Sequence, residues 1–229
     1  MSDLMAAART IRETLRTPTL PARVGEMLQE LIITGRIPPG ERIVEEELAK
    51  ELGISRTSLR EAMIGLESEG LLTRDEGRSR VIYRLTARDV EELYEVWAFL
   101  ECEAVVNASL NADAATCRRI QELLDRMDEI ADRATYHRLN LELHRALVER
   151  CTNKKLLSLY DNAVRQVRWA WNLAISQAGE TEHSQHEHKE IFAAFKAKDT
   201  VAVRDLVRAH LIAGAVAITG GLKDAAPDE

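Results

Sequence analysis

Cysteine is scarce in this chain of 229 residues, which contains only three. Their number is odd and none of them forms a CxxC pair, which fits reduced thiols better than a framework built on disulfides. Widely spaced cysteines are typical of reduced thiols in a cytosolic protein. We therefore expect Cys102, Cys117 and Cys151 to be small buried side chains without a chemical role.

Long apolar runs are also missing from the sequence. No stretch reaches the roughly 18 apolar residues that a transmembrane helix needs. The N-terminal segment "MSDLMAAARTIRETLRTPTL" lacks the apolar core of a secretory signal peptide. These two absences predict a cytoplasmic protein with no membrane partner.

An excess of positive charge is absent too, because the chain has 31 basic and 38 acidic residues and a net charge of −7. Residues 1–84 contain 13 basic against 14 acidic residues, and residues 85–229 contain 18 against 24. Four arginines between residues 74 and 84 face only two acidic residues in that stretch. Because salt screens charges beyond about 10 Å, a local patch matters more to DNA than the total. The acidic total therefore does not exclude a nucleic-acid partner.

Residues 22–72 follow the pattern of a helix-turn-helix. Apolar residues recur at helical spacing up to Gly35, and the proline-glycine stretch "RIPPGERI" then interrupts the helix. A second helix is predicted over about residues 45–52 and ends at Gly53, a residue type that readily closes a helix. Only Gly53, Ile54 and Ser55 precede a third helix, which Ser55 can cap. Helices joined by so short a turn form a helix-turn-helix.

The third predicted helix has two chemically different faces. One face is apolar and carries Leu59, Ala62, Met63 and Leu66. The other is polar and carries Arg56, Thr57, Ser58 and Arg60. We expect the apolar face to pack on the domain and the polar face to lie in a major groove.

The segment "TRDEGRSRVIYRL" is predicted to form a β-hairpin. Residues 71–74 and 80–85 have strand-like composition, and a glycine-containing turn lies between them at residues 76–79. A hairpin at this position is the wing of a winged helix. Arg78 and Arg80 are expected at or beside its tip, where they could bind phosphate or the minor groove.

From Thr86 onward the sequence predicts only helices. Thr86 and Asp89 form a capping-type pair before the first of them, and about six helices follow with the spacing of an antiparallel bundle. The expected fold class is therefore mainly α, with a winged helix-turn-helix followed by an all-α bundle. The expected domains are a loose arm at 1–20, a DNA-binding domain at 21–85, a helical domain at 86–222 and a disordered tail at 223–229.

Several blocks of the sequence resemble a known family. "GERIVEEELAKELGISRTSLREAMIGLESEGLL" resembles the GntR superfamily of bacterial transcription regulators. "LTARDVEELYEVWAFLECEA" is similar to the start of the FCD effector domain of its FadR-like branch, and "NLELHRALVERCTN" and "EHKEIFAAFKAKD" are similar to the ligand-bearing helices of that domain. The resemblance spans roughly residues 20–215. It implies a homodimer that reads double-stranded operator DNA and binds a small organic effector in its C-terminal bundle.

The resemblance also assigns residues to the two sites. Arg56, Thr57, Ser58 and Arg60 would contact operator bases and phosphates, and Gly77 would allow the wing turn to approach DNA closely. The family's metal site usually presents one Asp and three His, and the matching positions here are Asn140, His144, His188 and His210.

Helical spacing supports this set of ligands. Asn140 and His144 are one turn apart on one face, while His188 and His210 each share a face with apolar residues. Such a nitrogen-rich site suits Zn²⁺ or Ni²⁺. Asn140 supplies no charge, so we expect weaker metal binding than at an Asp site, or a site that an anionic effector completes. A metal-free polar pocket is the alternative.

Trp97 is a second departure from the family pattern. The family commonly has Arg at this position, where it helps to hold an effector carboxylate. Tryptophan cannot do this, although Arg168 could replace the cation or take part in a structural ion pair. A carboxylate therefore stays only one candidate for the effector.

Three functions are compatible with these features. The first is a ligand-responsive transcription regulator, most often a repressor in this family. The second is a metal-dependent hydrolase that uses the three histidines to activate water, although no carboxylate base is evident beside them. The third is a DNA-binding adaptor with no small-molecule ligand. The buried imidazoles argue against the third, because burying polar groups without a partner is costly.

Overall fold

The computed structural model of the chain describes residues 19–130, 132–174 and 181–225. The chain divides into two compact units between Arg84 and Leu85, next to the boundary predicted at residue 85. No helix among the described residues is both long and apolar enough to span a membrane.

The first unit is a winged helix-turn-helix, as predicted. Its described elements are, in chain order, α1 (Leu20–Ile33), β1 (Arg42–Ile43), α2 (Glu45–Glu51), α3 (Arg56–Ser68), β2 (Leu72–Arg74) and β3 (Arg80–Ile82). Thr19 begins α1 by accepting a hydrogen bond from the backbone of Ala22. Gly53, at φ +65°, ends α2 in a left-handed conformation that few other residue types adopt.

The wing contains one strand more than the sequence predicted. β2 and β3 form the expected antiparallel hairpin, and β1 pairs with the other edge of β3 to give the order β1-β3-β2. Arg42 lies opposite Val81, and Ile43 lies opposite Arg80. Because β1 has only two residues, the sequence pattern did not distinguish this strand from the proline-glycine turn that precedes it.

Helices α1 and α3 form the core of the first unit by packing their apolar faces together. The largest buried contributors are Leu28, Ile32, Leu59, Met63 and Leu66. Burying the apolar face of α3 fixes which face the helix leaves outward. The polar residues at the start of α3 are exposed for this reason.

The second unit is all helical in its described residues, as predicted. Its helices are α4 (Ala87–Asn111), α5 (Ala114–Asp128), α6 (Arg133–Val148), α7 (Lys154–Ala174), α8 (Thr181–Ala197) and α9 (Thr200–Ala225). The predicted capping pair is present, because Thr86 and Asp89 each bind the other's backbone N–H. Helix α4 lies at the centre of the bundle and packs against α6, α7, α8 and α9.

The ends of the chain lie mostly outside the described residues. Of the arm predicted at 1–20, only Thr19 and Leu20 are described, and they begin α1. Of the tail predicted at 223–229, residues 223–225 continue α9, so this helix extends past the predicted end at 222. Residues 1–18 and 226–229 are not described, nor are residues 131 and 175–180.

Candidate functional sites

The polar face of α3 is exposed at the start of the helix. The side chains of Arg56 and Arg60 are each 55% exposed, and Thr57 is exposed between them. Ser58 is half-buried, and its backbone N–H donates to Ser55 Oγ at 3.0 Å, which caps the helix. The structure therefore brings the four predicted DNA-binding residues of α3 to one end of the helix, three of them exposed.

Carboxylates of α2 contact both exposed arginines. Arg60 Nε donates to Glu45 Oε2 at 2.6 Å, and Arg56 Nη1 lies 3.6 Å from Glu46 Oε2. Exposed ion pairs of this kind stabilise a fold by only about 0–1 kcal/mol. They restrict where the guanidinium groups can lie without holding them firmly.

Arg80 lies beside the wing turn, as predicted, but its side chain is buried rather than free to contact DNA. It is in β3, only 6% exposed, with Nη1 at 2.5 Å from Glu45 Oε1 and Nε at 3.0 Å from Glu67 Oε1. Burial alone would lower its pKa, but Glu67 and Glu45 together raise the pKa above its usual value. Arg80 therefore joins α2, α3 and the wing, and we remove it from the expected DNA-contacting residues.

The wing turn exposes Gly77 and Arg78, as expected from the sequence. Asp75 holds the turn together, because its side chain accepts from the Ser79 backbone N–H at 2.7 Å. The left-handed residue of the turn is Arg78, at φ +60°, and not Gly77. Gly77 therefore does not supply a backbone conformation that only glycine adopts, and a Cβ at this position would contact Asp75 Oδ1 at 3.4 Å and Arg42 Nη2 at 3.5 Å.

Three buried imidazoles converge inside the helical unit. His144 lies on α6, His188 on α8 and His210 on α9, and they are 1%, 1% and 7% exposed. His210 Nε2 lies 3.1 Å from His188 Nε2 and 3.3 Å from His144 Nε2. One nitrogen of each ring lies within 4.8 Å of the others, close enough to share one metal ion. His186, by contrast, is 71% exposed beside Glu190.

Two carboxylates bind the outer nitrogens of this cluster. Glu101 Oε1, on α4, lies 2.5 Å from His144 Nδ1, and Glu187 Oε2 lies 2.7 Å from His210 Nδ1. A carboxylate accepts the proton of Nδ1, which leaves the Nε2 lone pair free. His144 and His210 therefore both direct lone pairs into the centre of the cluster.

Burial favours the neutral form of His188 and His210. It lowers the pKa of His188 well below its usual value, and the neighbouring His210 and His144 act in the same direction. Burial also lowers the pKa of His210, although the bonded Glu187 opposes the shift. Buried imidazole nitrogens that lie this close together can serve as ligands for one cation.

Asn140 is buried one helical turn before His144 and is 5% exposed. Its Oδ1 has no hydrogen-bond partner among the described residues, and neither has Nδ1 of His188. An unpartnered buried amide oxygen is unusual because it loses its bonds to water. The residues present therefore fit a bound divalent ion, with three imidazole nitrogens and one neutral oxygen available.

The two predicted effector-contacting residues, Trp97 and Arg168, differ in burial and lie on different helices. Trp97 is fully buried, with its ring 5.1 Å from that of His144 and 6.2 Å from that of Trp171. It fills the space beside the imidazoles with an apolar surface. Arg168 is half-buried on α7, the helix that also carries Trp171, and its contact with an effector stays a prediction.

The sequence analysis missed both carboxylates of the cluster. Glu101 is fully buried within an apolar stretch of α4, one turn after Trp97, and a carboxylate at such a position is the signal that could have identified it. Glu187 precedes His188 on α8 and points in a different direction from it. That direction brings it to His210 on α9, a contact between helices that sequence spacing does not reveal.

Comparisons with known proteins match both units. Residues 20–82 match the family described as bacterial regulatory proteins, gntR family, and residues 92–213 match the FCD domain. YdhC of Bacillus subtilis (strain 168), described as an uncharacterized HTH-type transcriptional regulator, is 33% identical over 187 residues, which cover 80% of this chain and 84% of YdhC.

Two further relatives agree with these matches. The Nta operon transcriptional regulator of Aminobacter aminovorans is 34% identical over 179 residues, which cover 76% of this chain and 82% of that regulator. The solved structure of E. coli McbR/YncC has a TM-score of 0.72 at 23% identity, covering 90% of this chain and 100% of that one, and shows a shared fold.

Proposed function

Because the chain belongs to the gntR family of bacterial regulatory proteins and carries an FCD domain, we propose that it is a homodimeric repressor whose effector site contains a divalent metal. The matched relatives are transcriptional regulators and not enzymes, so the hydrolase alternative is set aside. A regulator of bacterial operons acts where the chromosome lies, and we place the protein in the cytoplasm.

The observation that carries the DNA-binding function is the exposed start of α3. Arg56, Thr57 and Arg60 are exposed there, on a helix whose other face is buried in the core. Arginine pairs with guanine through two hydrogen bonds in the major groove, which is worth about 1–3 kcal/mol of discrimination. Arg78 at the exposed wing turn adds a cation for the phosphate backbone. We propose that these residues read the operator.

The effector site is proposed at the three imidazoles. His144, His188 and His210 would hold a nitrogen-preferring divalent ion such as Zn²⁺ or Ni²⁺, with Asn140 as a neutral oxygen ligand. When bound, the ion supplies positive charge that an anionic effector group could bind. Glu101 and Glu187 orient two of the rings, and Trp97 gives the site an apolar wall. An effector with both a polar group and an apolar ring fits these surroundings.

Regulation requires that the effector bind one arrangement of the dimer better than another. A ligand with equal affinity for both arrangements does not shift the equilibrium between them, however tightly it binds. Repressor dimers place two recognition helices in successive major grooves, about one helical turn of DNA apart. We propose that the effector favours an arrangement in which this spacing is lost.

A DNA-binding titration tests the proposal. Fluorescence anisotropy would measure the affinity of the protein for DNA fragments from upstream of its own gene and for scrambled fragments of equal length. We expect the upstream fragment to bind more tightly in 0.15 M salt, and we expect affinity to fall steeply as salt rises. Equal affinity for the two fragments at every salt concentration would contradict a sequence-specific regulator.

A metabolite screen tests the effector part separately. Thermal unfolding of the protein would be measured with candidate metabolites, with and without a chelator, and each hit would then be added to the DNA titration. We expect a stabilising metabolite to need the metal and to weaken DNA binding. The same screen on His210→Ala should give no metal-dependent stabilisation, while His186→Ala should behave as the parent does.

A further inference from the structure

Glu46 is an acidic residue beside the arginines that the proposed function assigns to DNA. It lies in the first turn of α2, its side chain is 77% exposed, and its Oε2 lies 3.6 Å from Arg56 Nη1. Its neighbour Glu45 is only 21% exposed and is paired with both Arg60 and Arg80. Glu46 therefore differs from Glu45 in extending into solvent together with an arginine at the start of α3.

Two structural roles do not require a carboxylate at this position. Acidic residues stabilise the positive end of a helix, but Glu45 and Glu47 supply charge in the same turn. An exposed ion pair such as that of Glu46 with Arg56 contributes little to folding. A carboxylate that faces DNA also costs affinity, because it repels the phosphates. Such a residue is expected on a DNA-binding surface where the bound DNA offers it a hydrogen-bond donor.

The major groove offers such a donor at cytosine. The N4 amino group of cytosine donates to Asp or Glu, whereas O6 and N7 of guanine accept from Arg. These groups lie side by side in a G·C pair, and successive base pairs are about 3.4 Å apart along the helix axis. The 3.6 Å between Glu46 Oε2 and Arg56 Nη1 matches this spacing. The acidic and the basic group can therefore contact the two bases of one pair, or bases of two adjacent pairs.

We infer that Glu46 is a specificity-determining residue that accepts a hydrogen bond from cytosine N4 in the operator, beside the guanine that Arg56 contacts. This role rests on the proposed DNA-binding function and adds a residue of α2 to the surface that reads the operator. Guanine and thymine present acceptors in the place of the amino group, and adenine presents an acceptor beside its own. Each of these bases leaves the carboxylate unpaired or repelled. Glu46 thereby weakens binding to wrong sequences more than it strengthens binding to the right one.

Selection from a random DNA library tests this role. The full chain and its variants would enrich the sequences that they bind, and fluorescence anisotropy would measure affinity for the selected site and its single-base variants. The parent should prefer cytosine at one position of the site by about five- to a hundredfold. Glu46→Ala should reduce this preference to less than about twofold and increase affinity for unselected DNA. Glu46→Gln should shift the preference to adenine, the base with which an amide side chain pairs.

Glu51→Ala is the matched control for charge. Glu51 is exposed at the other end of α2, so its removal changes the net charge equally but should leave the base preference as in the parent. Arg56→Ala should lose a preference for guanine at the same base pair or an adjacent one, because only 3.6 Å separates its guanidinium from the Glu46 carboxylate. Circular dichroism would verify that every variant is folded.

The outcomes separate the role of Glu46 from the proposed function. A parent that selects no sequence would reject both. A parent that selects a defined site, with Glu46→Ala keeping every base preference, would overturn the role of Glu46 and leave the regulator standing. Preferences lost by Glu46→Ala and Arg56→Ala at base pairs several positions apart would overturn it too. A fall in thermal stability of Glu46→Ala with unchanged base preference would assign the residue to the helix terminus alone.

Discussion

Glu101 and His144 are joined by a buried contact between α4 and α6, with 2.5 Å between Glu101 Oε1 and His144 Nδ1. Both side chains are at most 1% exposed. Because the contact fixes the proton on Nδ1, it determines which nitrogen of His144 faces the other two imidazoles. Glu101 would not bind the metal itself, but it orients the ring of His144 for metal binding.

Replacing Glu101 by Gln should weaken metal binding without changing DNA binding. The amide can still accept the Nδ1 proton, but it lacks the charge that makes the ring a better ligand. We expect Zn²⁺ or Ni²⁺ affinity to fall about tenfold to a hundredfold, measured by competition with a chromogenic chelator. Glu92→Gln, an exposed change on the same helix, is the control and should leave affinity unchanged. Equal affinities in the two variants would reject the positioning role.

Asn140→Asp should strengthen metal binding and weaken the metal-free fold. A carboxylate supplies the negative charge that the amide lacks, but without the ion it is a buried charge with no compensating partner. We therefore expect the melting temperature to fall in chelator and to rise in Zn²⁺, relative to the parent in each condition. Calorimetry with and without metal measures both. A shift of the same sign in both conditions would show that residue 140 does not approach the ion.

Arg60→Ala should weaken operator binding while leaving stability nearly unchanged. The loss should be about 1–3 kcal/mol, since one arginine-to-base contact is removed, and fluorescence anisotropy would measure it. Stability should change by less than about 1 kcal/mol, because the ion pair with Glu45 is exposed. Arg36→Ala removes the same charge from an exposed position outside α3 and is the control. If both variants lost affinity equally, α3 would not be the reading helix.

Arg80→Met should lower the stability of the first unit, whereas Arg60→Ala should mainly weaken operator binding. Removing the buried guanidinium leaves Glu45 and Glu67 without their shared partner, and breaking a buried pair costs about 3–5 kcal/mol. Urea unfolding of the full chain would detect this as a loss of stability in the first unit. Arg74→Met is the matched control, because Arg74 also contacts Glu67 but is 52% exposed, and it should cost less than about 1 kcal/mol.

The metal-free protein should lose stability as the pH falls below about 6.5. Burial lowers the pKa of His188 and His210 in the fold, so the unfolded chain takes up protons at a higher pH than the folded one. Stability is therefore complete above the unfolded pKa and declines from there towards lower pH. Urea unfolding in chelator from pH 8 to 5.5 measures the decline. His188→Gln should reduce its slope, whereas the exposed His186→Gln should not.

Local sequence patterns predicted most of the fold, because helices are specified by residues three and four apart. The alternation of apolar and polar faces in α3 and the capping pair at Thr86 are both local, and both are present in the structure. Strand β1 was missed because two residues carry no periodicity, and because its partners in β3 are distant in the sequence: Arg42 pairs with Val81, 39 positions away.

The sites were predictable to the extent that they depend on helix faces. The inward directions of His144, His188 and His210 followed from spacing, and the structure brings the three together. The carboxylates that bind these rings could not be predicted from spacing, because Glu101 and His144 are 43 positions apart in the sequence and lie on different helices. The burial of Arg80 was not predicted for a similar reason: its two carboxylates come from α2 and α3, and only the folded wing brings them to it.

The two ion pairs of Glu45 affect how quickly the protein can search DNA. Its two oxygens serve different arginines, the exposed Arg60 and the buried Arg80. When a base or phosphate draws Arg60 away, the carboxylate is still neutralised by Arg80, so no bare anion repels the incoming strand. The exposed guanidinium can then alternate between protein and nucleic acid during sliding, while the framework beneath it stays intact.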